Sequence, residues 1–334
     1  MNGKERYLRL LAGEPVDIIP RLPVLMRFAA EYIGSDYGRF AADANVLVAA
    51  NIACASDFGI DQMNTMSDPY RETEAYGATV TYSPEYGARI VRPPLADGVD
   101  LTKLRRPDPL RSTRMLDRVE AVRQYAARVG DTHSIMGWVE GPAAEAADVR
   151  GVQDFFMDLL LDPEPIAALM DMTVDNAIAF AQAQVDAGAD TIGIGDAVAS
   201  QVSAELYETL ILPREQRLVA ALKAMGAIVR MHICGNITHL LPGLATLDLD
   251  VIDIDHMVSL TTVRRVLGPR VVIGANLDPV ADILKGTPDL IRDKLKRARD
   301  EAGPAFVVNA GCEIPSPTPP ANLAALCAPL RWDD

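Results

Sequence analysis

Short apolar runs alternate with longer amphipathic segments along most of the chain, and this pattern is typical of strands alternating with helices. The runs that predict strands are Ser134–Glu140, Thr191–Asp196, Ala227–Cys234, Val251–Asp255, Val271–Ala275 and Ala305–Asn309. The segments that predict helices are Thr113–Val129, Val152–Leu161, Pro163–Ala187, Ala204–Met225, Thr238–Leu247, Thr261–Leu267, Pro288–Ala302 and Pro320–Leu330.

The first third of the chain is less regular. It predicts a short helix over residues 3–12 and a strand at Arg21–Met26. A long helix at Ala41–Ser56 and a short strand within Asp57–Met66 follow. Between residues 77 and 94, two β-rich segments flank a turn that contains Pro and Gly, so we expect a β-hairpin outside the main sheet.

Strands that alternate with helices predict a parallel sheet. We count about eight such units and therefore predict a single TIM (β/α)8 barrel domain over residues 1–334, with an N-terminal helical segment and the hairpin as an excursion. A doubly wound open sheet is the alternative. It is less favoured because no glycine-rich phosphate-binding motif follows the first strand.

Composition narrows the class of protein. The net charge of −14 and the pI near 4.8 disfavour nucleic acid and anionic membranes as partners. No apolar run reaches the roughly 18 residues of a membrane span, and the charged N-terminus does not resemble a secretory signal. Four cysteines are too few for a disulfide scaffold, so we expect a cytoplasmic protein.

Polar residues collect where the predicted strands end. They are Glu140, Asp196, His232, Cys234, Asp255, Asn276 and Cys312. In a TIM barrel the carboxyl ends of the strands surround one mouth, where the functional residues of such barrels lie. We predict Glu140 and Asp196 as catalytic residues and Asn276 and Asp255 as substrate-binding residues.

His232 and Cys234 end one predicted strand, and Cys312 follows another. One imidazole and two thiolates suit a zinc ion that keeps one position open. His239 and Glu140 are weaker candidates for a fourth ligand. The alternative is a core histidine with two core thiols; for Cys54 and Cys327 that structural interpretation is the favoured one.

Charge indicates what such a centre would do. Zinc with one neutral imidazole and two thiolates has no net charge, so a bound thiol would lose its proton and remain nucleophilic toward a methyl group. An alcohol or ether oxygen at the open position would instead become a better leaving group. Both reactions are alkyl transfers, and hydrolysis is less favoured at a thiolate-rich site.

Several segments resemble the uroporphyrinogen decarboxylase superfamily, specifically its cobamide-dependent methyltransferase branch. The matching segments are Val139–Pro142, Asp186–Asp190, Tyr207–Pro213, Met231–Asn236, Gly274–Pro279, Gly311–Pro315 and Pro319–Leu323. The resemblance implies a TIM barrel whose zinc ligands are His232, Cys234 and Cys312. It also implies methyl transfer between a small molecule and a cobamide. The small molecule would be a methoxy compound, methanol, a methylamine, a thiol or a tetrahydrofolate.

The resemblance also sets the expected partner and the alternatives. No cobamide-binding motif is present, so the cobamide should arrive on a separate corrinoid protein. Met66 and Tyr70 are predicted to contact the small molecule. A zinc-free decarboxylase-like lyase is the alternative, but the Leu25–Tyr32 region carries one arginine where true decarboxylases carry several. A non-catalytic binding module is a third possibility, and the oligomeric state, monomer or homodimer, stays open.

Overall fold

The computed structural model describes residues 1–333. The strands are β1 (Gln62–Asn64), β2 (Thr79–Ser83), β3 (Gly87–Arg92), β4 (Ser134–Glu140), β5 (Thr191–Gly195), β6 (Ile228–His232), β7 (Val251–Asp253), β8 (Val272–Gly274) and β9 (Phe306–Val307). The α-helices are α1 (Gly3–Leu11), α2 (Arg27–Tyr32), α3 (Tyr37–Ala42), α4 (Ala44–Phe58), α5 (Arg71–Tyr76), α6 (Thr113–Val129), α7 (Pro142–Arg150), α8 (Val152–Leu161), α9 (Pro163–Asp186), α10 (Ala204–Leu206), α11 (Leu212–Ala224), α12 (Leu241–Leu244), α13 (Leu260–Leu267), α14 (Pro288–Ala302) and α15 (Pro320–Cys327).

The main sheet has the strand order β1-β4-β5-β6-β7-β8-β9, and every neighbouring pair is parallel. The segment at Arg21 lies between its two edges. Leu22 N donates to Val308 O at 2.8 Å, and Asp61 N donates to Arg21 O at 2.9 Å. These bonds join the last strand to the first, so the predicted α/β class and TIM barrel are confirmed.

Burial explains why the strands are so apolar. All seven residues of β4 are buried, and so are all five of β5. Strands of a parallel barrel are covered by helices outside and by packed side chains inside, so they do not alternate between apolar and polar residues. The largest hydrophobic cluster accordingly includes residues from both the strands and the outer helices.

The predicted hairpin at residues 77–94 is present. β2 and β3 pair antiparallel and form a sheet of their own, separate from the barrel. Tyr37 N, at the start of α3, donates to Pro84 O at 3.2 Å, so the turn of the hairpin rests on that helix.

The predicted strand at Arg21–Met26 was wrong beyond its first residue. Only Arg21 forms a parallel bridge, with Val308, and α2 begins directly after Met26. Pro20 and Pro23 have no N–H to donate to a neighbouring strand, which limits regular pairing here.

Two predicted helices are interrupted. The Ala204–Met225 helix is divided into α10, a π-helical turn at Tyr207–Ile211, and α11, because Pro213 cannot donate to a carbonyl of the preceding turn. The Thr238–Leu247 helix is reduced to the four residues of α12, which contains Pro242 and Gly243.

Other boundaries also shift. The helix predicted at Ala41–Ser56 begins at Ala44, where the Asp43 side chain caps its N-terminus by accepting from Asn45 N. Four short helices that the pattern did not predict are α2, α3, α5 and α7. Two of these, α5 and α7, follow β1 and β4 and therefore border the barrel mouth.

Candidate metal centre at the barrel mouth

Three side chains meet at the mouth of the barrel. His232 Nε2 lies 3.1 Å from Cys234 Sγ, and Cys234 Sγ lies 3.3 Å from Cys312 Sγ. The third separation, from Cys312 Sγ to His232 Nε2, is 3.7 Å. The structure therefore brings together the three residues that the sequence predicted as ligands, although Cys312 lies 78 residues after Cys234 and 80 residues after His232.

The geometry and the donor types of this cluster fit zinc. Donor atoms around a tetrahedral zinc with bonds of about 2.0–2.3 Å are separated by about 3.5–3.8 Å. The observed separations of 3.1, 3.3 and 3.7 Å lie in or slightly below that range. No backbone rearrangement is needed to bring one imidazole and two sulfurs into reach of one ion.

Local backbone features hold the two cysteine loops. β6 ends at His232, and Gly235 then turns the chain with a φ of +91°. Gly235 N donates to Asp255 Oδ2 at 2.9 Å, which fixes the loop that carries Cys234. On the other loop, a Cβ at Gly311 would lie 2.9 Å from His256 N, so only glycine lets the Cys312 loop approach this closely.

A buried carboxylate supports the histidine from behind. Asp253 Oδ2 lies 3.3 Å from His232 Nδ1, which leaves Nε2 directed at the two sulfurs. Arg230 donates to both oxygens of Asp253 at 2.8 and 2.9 Å, and Asn309 donates at 2.9 Å. A carboxylate behind a metal-binding histidine fixes the ring and makes the other nitrogen a better ligand.

The pKa shifts of Asp253 and Cys312 agree with this arrangement, whereas the hydrogen bond to Cys312 and burial raise the pKa of Cys234. Burial alone would raise the pKa of Asp253, but Arg230 and His232 outweigh burial and hold that pKa well below its usual range. The pKa of Cys312 is also lowered, because Cys234 and His232 hydrogen bond to its sulfur. A thiolate is the form of cysteine that binds metals.

The three ligands open onto a cavity of about 270 Å³. Its apolar wall includes Trp138, Met26, Met66, Val24 and Val198. The ionisable side chains that line it are Asp68, Arg71, Glu140, Asp148 and Glu313. The cavity is therefore large enough for a small molecule and is bordered by both a candidate metal centre and several carboxyl groups.

Glu140 lies in this cavity wall, as the prediction of a catalytic role requires. Its Oε1 accepts from Arg71 at 2.7 Å and from Trp138 Nε1 at 3.0 Å. Burial, opposed by Arg71 and reinforced by Glu72, raises its pKa to about 8. A carboxyl group with this pKa can hold or release a proton near neutral pH.

Asp148 projects from α7 into the same cavity, one turn after Ala144. Burial, reinforced by Asp68 and Glu72 and opposed by Arg71, raises its pKa to about 7. Within residues 1–333 no lysine or arginine lies within 4 Å of its carboxyl group. Asp148 is therefore a cavity acid that forms no ion pair with a basic side chain.

We expect Asp148→Asn to change how stability depends on pH. An unfolded aspartate titrates near 3.9, so between about pH 4 and pH 7 the folded chain keeps a proton that the unfolded chain has lost. The contribution of Asp148 to stability therefore decreases as the pH rises from about 4 to about 7. Relative to the wild type, the variant should gain about 2–3 kcal/mol between pH 5 and pH 8, measured by urea unfolding.

The control for that measurement is Asp131→Asn, which makes the same change at an exposed loop before β4, at the opposite end of the barrel. It should keep the wild-type pH dependence. Equal pH dependence in the wild type and Asp148→Asn would contradict the raised pKa of Asp148.

The structure does not bring Asp196 to the cavity. It is fully buried, and its carboxylate accepts from Ala144 N at 2.7 Å and Ala143 N at 3.2 Å at the start of α7. These bonds satisfy N–H groups that have no partner within the helix. Asp196 therefore caps the start of α7 and does not line the cavity, in contrast to the catalytic role predicted for it.

Asn276 and Asp255 also lie outside the cavity. Asn276 donates to Val258 O at 2.8 Å and lines a separate surface pocket with His256. Asp255 accepts from Gly235 N, as described above, and its Oδ1 lies 2.7 Å from His256 Nδ1. Asp255 thus positions the Cys234 loop, and neither residue faces the cavity that was expected to hold substrate.

Of the remaining predicted residues, one lines the cavity and the others do not. Met66 lines the cavity. Tyr70 is partly buried beside it but is not in its wall. His239, the weaker candidate for a fourth ligand, makes a hydrogen bond of 2.9 Å with Val202 O and does not join the cluster. Cys54 and Cys327 are buried free thiols, in agreement with the structural role expected of them.

Together the fold and the site define a TIM-barrel protein with a candidate N/S metal centre at the carboxyl ends of its strands. Residues 2–331 match the uroporphyrinogen decarboxylase (URO-D) family, and the chain belongs to that family. Among residues 1–333, we find no helix with the length and apolarity needed to cross a bilayer.

Relatives within the family include two kinds of enzyme. The chain is 30% identical over 329 residues to the methylcobamide:CoM methyltransferase MtbA of Methanosarcina mazei, an alignment that covers 96% of this chain and 95% of the relative. It is 29% identical over 276 residues to a uroporphyrinogen decarboxylase of Syntrophotalea carbinolica, covering 80% and 78%. A solved methyltransferase structure from Methanosarcina mazei superposes with a TM-score of 0.89 at 24% identity over 98% of both chains, which shows the shared fold.

Proposed function

We propose that this protein is a zinc-dependent methyltransferase that moves a methyl group between a small molecule and the cobamide of a separate corrinoid protein. The observation that carries the proposal is the cluster of His232, Cys234 and Cys312, which opens onto a cavity rather than being enclosed. Three protein ligands with one accessible position are typical of catalytic zinc, whereas structural zinc is usually enclosed by four. The similarity to methylcobamide:CoM methyltransferases supports the same conclusion.

In the demethylating direction, the methyl carbon leaves an oxygen, nitrogen or sulfur atom and bonds to cobalt(I), which supplies both electrons of the new bond. The leaving atom keeps its electron pair; an oxygen or sulfur that leaves as an anion takes up one proton, whereas the nitrogen of an ammonium donor leaves as a neutral amine and takes up none. Zinc, when bound, would act as a Lewis acid on that leaving atom. In the opposite direction the same electron pair attacks the methyl group of the methylcobamide.

The chain's own residues supply positioning and a proton. Asp253 orients His232, and the apolar wall around Trp138 and Met66 excludes water from the reacting groups. Glu140 is a cavity acid with a pKa of about 8, so we assign to it the proton that a leaving oxygen or sulfur atom needs. Arg71 holds the Glu140 carboxyl group in place at 2.7 Å.

The cavity also weighs against the zinc-free decarboxylase-like alternative. Of its ionisable side chains only Arg71 is a cation, and Arg71 is already paired with Glu140. A substrate that carries many carboxylates needs several free cations, which this cavity does not offer.

The test is metal content combined with activity. Protein purified without added metal should contain about one zinc per chain, and a strong chelator should remove both the zinc and the methyl transfer. Transfer is followed by the visible spectrum of free methylcobalamin or cob(I)alamin, with thiols, methoxy compounds and methylamines as partners. Restored activity on adding zinc back supports the proposal, whereas undiminished transfer by zinc-free protein would refute it.

A further inference from the structure

The cavity beside the candidate metal centre is lined by more acidic than basic side chains, and this imbalance has a consequence for the substrate. Four carboxyl groups line the cavity but only one guanidinium does. Arg71 pairs with Glu140 at 2.7 Å, and Asp68 pairs with Arg114 from outside the cavity at 2.5 Å. Both guanidinium groups are therefore already paired with two of the four acids, Glu140 and Asp68.

The other two acids, Asp148 and Glu313, have no such partner. Within residues 1–333 neither carboxyl group forms an ion pair with a lysine or arginine side chain at 4 Å or less, and Glu313 accepts only a backbone hydrogen bond of 3.0 Å from Arg27 N. Asp148, on α7, and Glu313, which follows Cys312, both line the cavity. A molecule in the cavity therefore meets two carboxyl groups that form no ion pair with a basic side chain.

The metal centre does not supply the missing positive charge. A zinc ion with two cysteine thiolates and a neutral histidine has no net charge. The rest of the wall consists of groups such as Trp138, Met26 and Met66. Aromatic and thioether side chains accommodate apolar or cationic methyl groups and offer nothing to an anion.

Given the function proposed above, on which this inference rests, we infer that the small-molecule substrate is a compact cation, such as a methylated ammonium compound. A neutral molecule should bind less well, and an anion should be rejected. Asp148 is the specificity-determining residue, because it faces the cavity and is not a neighbour of any metal ligand. The coenzyme M of the related methyltransferases carries a sulfonate, so this chain should differ from them in the molecule it takes.

The protonation state of Asp148 is compatible with this role. Its pKa of about 7 means that most molecules carry the negative charge at pH 8. Two charges a few ångströms apart in a partly buried site interact by more than the thermal energy, whereas in bulk water the interaction would be small.

Three thiols that differ only in their terminal group test the inference. 2-Aminoethanethiol, 2-mercaptoethanol and 2-mercaptoethanesulfonate end in a positive, a neutral and a negative group. Protein loaded with cobalt(II) in place of zinc is titrated with each thiol at pH 8 and equal ionic strength. The sulfur-to-cobalt absorption band reports binding without a corrinoid partner or turnover. Asp148→Asn and the exposed control Asp131→Asn are titrated in parallel.

We expect the ammonium thiol to bind at least about tenfold more tightly than the sulfonate thiol, with the neutral thiol between them. Asp148→Asn should reduce that ratio by about tenfold, and Asp131→Asn should leave it within about twofold. Comparing ratios between variants cancels differences in thiol acidity.

Two kinds of outcome would overturn the inference, and they can be distinguished. If all three thiols bind but the sulfonate thiol binds as tightly as the others, or if Asp148→Asn leaves the ratio unchanged, the charge selectivity is refuted and the metal centre stands. If the protein binds no cobalt, or if no thiol changes the spectrum, the proposed metal centre fails and the substrate inference fails with it.

Discussion

Replacing Cys312 with alanine is expected to remove bound zinc and to lower methyl transfer by at least about a thousandfold. The variant leaves His232 and Cys234, which lie 3.1 Å apart, as the only protein ligands. Two ligands hold zinc far more weakly than three, because the second sulfur also supplies a negative charge that offsets the ion. The side chain is only partly buried, so its loss should not unfold the chain.

Zinc content measured by elemental analysis and transfer measured with methylcobalamin check this expectation. Cys54→Ala is the matched control, since it removes a thiol that is fully buried in α4 and distant from the mouth. That variant should keep about one zinc per chain while losing some stability. Full zinc content together with full turnover in Cys312→Ala would rule out the three-ligand centre.

The barrel could be predicted because its strands carry a strong local signal. Ser134–Glu140 was predicted with the bounds that β4 has, since seven successive buried residues leave little choice of structure. The metal ligands could be predicted for a similar reason. His232, Cys234 and Cys312 are residue types with specific chemistry at strand ends, and strand ends in a barrel converge wherever they lie in the sequence.

The supporting residues could not be found in this way, because their roles depend on distances between elements. Asp253 is one of several acids at strand ends, and its register opposite His232 selects it for the role behind the histidine. Asp196 and Asp255 occupy equivalent places in the sequence but face helix or loop N–H groups. The side-chain direction that separates these three aspartates is set by packing.

Asp148 was not predicted from the sequence for a different reason. It lies on α7, which the pattern did not predict because Gly141–Pro142 was taken only as part of a family motif. Proline is favoured in the first turn of a helix, and the alanine-rich stretch after it favours helix, so the signal was present. Even so, the absence of an ion-pair partner for Asp148 is a property of the assembled cavity and cannot be seen in the sequence.

Replacing Asp253 with asparagine should weaken both the fold and the metal site. The variant leaves the Arg230 guanidinium, which is 1% exposed, without the carboxylate that now accepts two of its hydrogen bonds. Removing one partner of a buried ion pair typically costs about 3–5 kcal/mol. The neutral amide also accepts more weakly from His232 Nδ1, so zinc affinity should fall by about 10–100-fold.

A second variant separates these two effects. In Arg230→Met/Asp253→Asn the unpaired cation is gone, so much of the lost stability should return, whereas zinc affinity should stay low because His232 still lacks its carboxylate. Stability is measured by urea unfolding of zinc-free protein, and affinity is measured by competition with a chromophoric chelator. Wild-type zinc affinity in Asp253→Asn would show that the carboxylate serves the buried arginine alone, and that the orientation of His232 comes from packing against neighbours such as Trp138.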